Sequence, residues 1–137
     1  MSSIFGAEIP FAHLCGIEAV SVENGVTRLR VLLTPDHVNN FGVPHGGLIA
    51  TLLDIAMGTA ARLAAGAPVM TLDMHVAFLG VGAGALTAEG RVIRAGRSIL
   101  FTEAEARSAN GRLVAKASGV FKPAVKTEGK APRKTDD

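Results

Sequence analysis

The sequence predicts an α+β fold in which one long central helix is wrapped by a curved antiparallel sheet of five to six strands. Three observations predict it. Residues 45–66, HGGLIATLLDIAMGTAARLAAG, form the one long run that reads as a helix, and it is apolar nearly all the way round. β-Branched, alternating segments of strand length flank it on both sides. The links between the last four of these are short, which favours antiparallel pairing. One helix leaves one sheet face needing cover, so at least a dimer is expected.

Residues 1–15 read as irregular, with a short helix over 10–15. Segments 17–22 and 26–33 are strands, and Asn24-Gly25 between them is a hairpin signal. Residues 34–44, TPDHVNNFGVP, make a loop, and Pro44 blocks helix until His45. Gly66 and Pro68 close the helix. In 69–79, Met70, Leu72, Met74, Val76 and Phe78 alternate as one apolar face, with Thr71, Asp73 and His75 opposite. A turn at 80–84 leads to strands 86–94, 99–107 and 113–121, with Ala95-Gly96 and Asn110-Gly111 at the turns. Small residues in these strands (Ala88, Gly90, Ala104, Ala106, Ala115, Ala117, Gly119) let the sheet curve around the helix. The reading is one domain over 1–122 and a disordered tail over 123–137.

Composition excludes several function classes. A net charge of +2 is too small to imply nucleic acid. The apolar helix is marginal as a membrane span, and Asp54 near its middle would cost about 2.5–3.5 kcal/mol on insertion. His13, His37, His45 and His75 lack metal spacing on one element, so no metal is expected. The single Cys15 forms no intrachain disulfide and the N-terminus lacks a signal-peptide pattern, so a reducing, cytoplasmic setting is expected.

Two features of the helix carry chemistry. Asp54 is the one charged residue between Gly46 and Ala61. A carboxylate among apolar neighbours is costly to keep ionised unless something compensates it. On the helical wheel it shares a stripe with Gly47, Ala50, Met57, Gly58 and Ala61, so another object can approach closely. The structural alternative is an acid paired with Arg62 or a histidine. The second feature is the helix start, where the Gly46 and Gly47 amides point at the positive end of the helix dipole. Such donors stabilise a carbonyl oxygen that is gaining negative charge. Asp54 lies eight residues on, about 12 Å along the axis, too far for both to act on one carbon in one subunit. A symmetric dimer brings Asp54 of one copy to the Gly46 end of the other.

Asn39, Gly42, His45-Gly46-Gly47 and Asp54 together resemble the signature of hotdog-fold acyl-CoA thioesterases of the PaaI-like (phenylacetic acid degradation) type. The likeness continues through Thr71-Leu72-Asp73, Phe78-Leu79 and Arg94-Ala95-Gly96-Arg97-Ser98. It covers roughly residues 14–122. The resemblance implies a hotdog fold and hydrolysis of an aryl- or alkyl-CoA thioester to free CoA and a carboxylic acid. It makes Asp54 the nucleophile or general base and Gly46 the amide that polarises the thioester carbonyl. Asn39 would place the thioester or the water, His45 would support that arrangement, and Thr71 would face the site from the other subunit. Arg94, Gly96, Arg97 and Ser98 would touch CoA, with Phe78 and Lys122 as further contacts. No cofactor beyond the CoA of the substrate is implied. A homodimer is the minimal unit, and a homotetramer fits the family. The rival readings are a hotdog hydratase acting on an enoyl thioester and an acyl-CoA-binding module without turnover.

Overall fold

The computed structural model describes residues 3–124. Its elements are α1 (Pro10–Cys15), β1 (Ile17–Glu23), β2 (Val26–Leu32), a single 3-10 turn (Pro35–His37), α2 (Gly46–Ala65), β3 (Val69–Phe78), β4 (Ala85–Ala95), β5 (Leu100–Ser108) and β6 (Leu113–Pro123). The six strands make one sheet in the order β1-β2-β4-β5-β6-β3, with antiparallel neighbours throughout. The helix α2 lies on its concave face, and together they are the hotdog architecture that the sequence implies.

Two local devices start the sheet as expected. Asn24 and Gly25 both take positive φ (52° and 78°), the backbone of a tight hairpin turn whose twist matches the strands it joins. At the other hairpin, the Gly111 N–H donates to the Ser108 carbonyl and Ser108 N–H to the Arg112 carbonyl.

The connection after β3 corrects the sequence reading. Its shortness suggested pairing with the next strand, but β3 sits at the far edge against β6, while β4 pairs with β2. Residues 79–84 therefore cross the sheet rather than reverse beside it. Leu79 and Gly80 amides donate to the Val114 carbonyl along that path, and Ser108 both donates to and accepts from the backbone of Ala83. The last strand also runs two residues further than the expected 113–121. Lys122 and Pro123 belong to β6, opposite Met70 and Val69, and the Ala124 N–H donates to the Pro68 carbonyl. The rest of the expected disordered tail, 125–137, lies outside the described residues.

The core lies between α2 and the sheet. Leu52, Leu53, Ala56, Met57 and Ala61 of α2 meet Leu29, Val31, Leu86, Ala106 and Phe121 of the strands. Each large side chain buried there contributes about 1.5–3 kcal/mol. Among the described residues α2 is the one helix long and apolar enough to cross a bilayer, and here that apolar surface packs on strands. It is not buried on every side, however. Gly47 is exposed, and Ala50, Thr51, Asp54, Gly58 and Arg62 are half-buried along an open stripe. Met57 and Ala61, placed by the wheel beside Asp54, instead face the sheet and are fully buried.

The helix comes unusually close to β4. A Cβ on Gly90 would lie 2.5 Å from the carbonyl carbon and oxygen of Ala56 and 2.9 Å from the Met57 nitrogen. Only a residue without a side chain permits this approach. The buried Thr27 hydroxyl donates to the Ala56 carbonyl at 2.8 Å, with the Gly90 carbonyl 3.3 Å away. The middle of α2 is thereby fixed two residues past Asp54.

Candidate active site

The start of α2 is built by the loop before it. His45 N–H donates to the His37 carbonyl, and Val38 and Pro44 form an isolated bridge that closes the loop. His45 then takes extended dihedrals and its Nδ1 accepts from the Gly47 N–H at 2.7 Å. This is an N-cap by imidazole, satisfying one of the orphan amides. The Leu48 N–H returns to the His45 carbonyl. The Gly46 N–H has no hydrogen-bond partner among the described residues. Of the two amides that the sequence offers as donors, Gly46 is therefore the open one and Gly47 is committed to the cap. The Phe78 ring lies against Gly46, 3.4 Å from where its Cβ would stand.

Asn39 has a role in this loop. Its Oδ1 accepts from the Phe41 N–H at 2.8 Å and the Val43 N–H at 3.3 Å. The side-chain oxygen is thus spent on shaping the turn, and its amide nitrogen is the part left for a ligand.

Eight residues along α2, Asp54 is half-buried and accepts a hydrogen bond at its Oδ1 from the Thr71 hydroxyl at 2.8 Å. This partner is neither Arg62 nor a histidine. It reaches Asp54 because β3 carries a bulge. Thr71 pairs with Phe121 and Asp73 with Val120, which leaves Leu72 as the extra residue. The bulge flips the alternation. Thr71 then shares the helix-facing side with Met74 and Val76, which pack against the core, instead of opposing them as strict alternation required. Asp54 and Thr71 thus come together within one chain. The Gly46 amide, with the Phe78 ring against it, lies about 12 Å away along the helix.

A cleft of about 280 Å³ opens beside the Asp54–Thr71 pair. It is lined by Gly58 and Arg62 of α2, by Val69 of β3 and Phe121 of β6, and by Ala7 and Ile9 of the N-terminal segment. Gly58, Arg62 and the N-terminal lining were not singled out from sequence as site residues. The signal for the first two is their spacing, four and eight residues after Asp54 on one helix face.

The expected CoA-contacting residues lie elsewhere. Arg94, Gly96, Arg97 and Ser98 are exposed around the β4–β5 turn, where the Gly96 N–H donates to the Ile99 carbonyl. Lys122 is exposed, on the opposite face of β6 from buried Phe121. Among the described residues no hydrogen bond or ion pair joins any of these to Asp54. Burial raises the Cys15 thiol above its ordinary value, away from the thiolate form.

Comparison with known proteins adds to this geometry. Residues 41–115 match the family model described as the thioesterase superfamily. A protein from Saccharolobus solfataricus that bears a provisional esterase name is 31% identical over 105 residues, covering 75% of each chain. Acyl-coenzyme A thioesterase 13 from Homo sapiens is 30% identical over 104 residues, 72% of this chain and 74% of its own. A conserved protein from Pseudomonas aeruginosa superposes with a TM-score of 0.81 at 32% identity, covering 85% of this chain and 95% of that one.

Proposed function

This chain belongs to the thioesterase superfamily and is a thioester hydrolase, and from that premise we propose that it cleaves acyl-CoA esters with Asp54 of one subunit and the Gly46 amide of another. The carrying observation is the Asp54–Thr71 pair at the lip of an apolar cleft. The Thr71 hydroxyl holds Oδ1, which fixes the carboxylate and leaves Oδ2 available. Oδ2 removes a proton from a water that attacks the thioester carbon, or attacks that carbon itself. In either route the carbonyl oxygen gains negative charge and needs a donor. The Gly46 N–H, unpartnered and at the positive end of α2, is suited to supply it. In the first route the carbon–sulfur bond then breaks, the acyl group leaves as a carboxylic acid and the CoA thiolate takes the proton held by Asp54. In the second the bond breaks to leave an acyl-aspartyl anhydride, which a water hydrolyses to the carboxylic acid, its proton going to the CoA thiolate. No cofactor takes part, because a thioester is already reactive toward an oriented oxygen nucleophile.

Two copies are required. The acid and the amide are on one helix about 12 Å apart, and the helix is continuous between them. A two-fold pairing that sets the two α2 helices side by side and antiparallel makes two equivalent centres. In this reading the exposed β4–β5 turn offers Arg94 and Arg97 to the phosphates of CoA. The protein is expected to work in the cytoplasm.

Asp54→Asn is the direct test, with release of free thiol from phenylacetyl-, hydroxybenzoyl- and octanoyl-CoA as the readout. Loss of an acid–base group predicts a fall of about 10²–10⁴-fold. Undiminished hydrolysis of every ester that the unmutated protein cleaves would falsify the assignment.

A further inference from the structure

We propose that Arg62 sets acyl selectivity by pinning the N-terminal turn, residues 4–7, as the wall of the cleft beside Asp54. The inference rests on the acyl-CoA reading and deepens it, since it names what occupies that cleft and which surface a large acyl group rests against.

Residues 4–7 make a miniature hairpin. The Ile4 N–H donates to the Ala7 carbonyl at 2.8 Å and the Ala7 N–H returns to the Ile4 carbonyl at 3.1 Å. Phe5 and Gly6 at its tip take positive φ (49° and 90°). Four residues do not hold such a turn in place on their own. Two things anchor it to the body. Ile4 is 2% exposed and belongs to the core. Arg62 donates from one guanidinium nitrogen to both the Ile4 carbonyl (3.0 Å) and the Phe5 carbonyl (2.9 Å). Among the described residues Arg62 has no carboxylate partner, so these two carbonyls are its observed partners.

The pinned turn stands between two spaces. On one side is the cleft that contains Asp54 and Thr71, with Ala7 on its wall. On the other is a second cleft of about 460 Å³, lined by Gly6, Ala7, Arg62, Leu63 and Pro68. Ala7 of the turn borders both spaces, together with Arg62, which holds the turn, and Pro68. An acyl group attached at the thioester beside Asp54 extends along α2 past Gly58, about 6 Å away, toward Arg62, about 12 Å away. The surfaces it meets, Ile9, Ile55, Gly58, Val69 and Phe121, are apolar or lack a side chain, and the Arg62 guanidinium beyond them is committed to the Ile4 and Phe5 carbonyls. The occupant is thus an uncharged aryl or medium alkyl group. A two-carbon acyl group does not reach the turn.

The test compares acetyl-, phenylacetyl- and octanoyl-CoA in three variants. Arg62→Ala should raise KM for the two large esters at least tenfold more than for acetyl-CoA, and Arg62→Lys, which keeps a donor, should recover part of the difference. Ala7→Leu thickens the wall without touching the anchor, and should lower kcat/KM selectively for the large esters. Equal changes across all three esters in the folded variants, or none, overturn the proposal. If Arg62→Ala does not fold, Ala7→Leu decides alone. If the unmutated protein releases no thiol from any ester, or Asp54→Asn keeps full activity, the parent reading fails and this one with it. Asp54-dependent turnover with unchanged selectivity defeats the role of Arg62 only.

Discussion

Gly90→Ala is a one-carbon change with a calculable consequence. The added Cβ would overlap the Ala56 carbonyl, 2.5 Å away, and the Met57 nitrogen, 2.9 Å away. Both are backbone atoms in the middle of a 20-residue helix, so no side chain can rotate out of the way. The helix must lift off β4 or the strand must bend. Overpacking of a core typically costs about 1–3 kcal/mol, and contact with backbone belongs at the upper end. Lifting α2 also lengthens the Thr27–Ala56 hydrogen bond, whose loss inside the core adds about 1 kcal/mol. The total is about 3–4 kcal/mol, which lowers Tm by roughly 10 °C for a domain of this size. Circular dichroism melts and urea titrations measure it. The displacement falls two residues from Asp54, so kcat at a temperature where the variant is folded should fall as well. A Gly90→Ala protein that melts within 2 °C of the parent, a difference of about 0.6 kcal/mol, would refute the claim that the helix rests on that glycine.

Two other expectations follow from single contacts. Thr71→Val removes the hydroxyl that orients Asp54 and keeps the shape of the side chain. A hydrogen bond to a charged group is worth about 1.5–3 kcal/mol, so kcat should drop about 10- to 100-fold with little change in KM. Cys15, with its thiol pushed upward by burial, holds less thiolate at any given pH than an ordinary cysteine. Iodoacetamide should label it slower than free cysteine near pH 8, with the gap closing as pH rises; labelling at the free-cysteine rate would contradict the burial.

How much of this was legible in the sequence depends on the range of the interaction. The helix, its ends and the Asn24-Gly25 turn are local, written in hydrophobic period and turn residues, and all appear in the structure. The placement of β3 beside β6 is not local. A six-residue link fits either a tight reversal or a crossing, and long-range packing chooses. The bulge at Leu72 is a similar case. Alternation put Thr71 on the wrong face, and only pairing with β6 reveals the extra residue. Asp54 stood out as a lone acid in an apolar run. Its partner did not, because Thr71 looks like any strand threonine. The cleft was the least legible part, since its lining joins Ala7 and Ile9 of the N-terminal segment to residues of α2, β3 and β6.

The division of labour between α2 and the turn at residues 4–7 has an evolutionary consequence. In the proposed reading, the Asp54 carboxylate and the Gly46 amide ride on a helix whose other face is packed in the core. In the same reading, the group that chooses the substrate sits on a short peripheral turn held by Ile4 in the core and by Arg62. New specificities can therefore arise by editing a few residues near the N-terminus, with the reacting centre left intact.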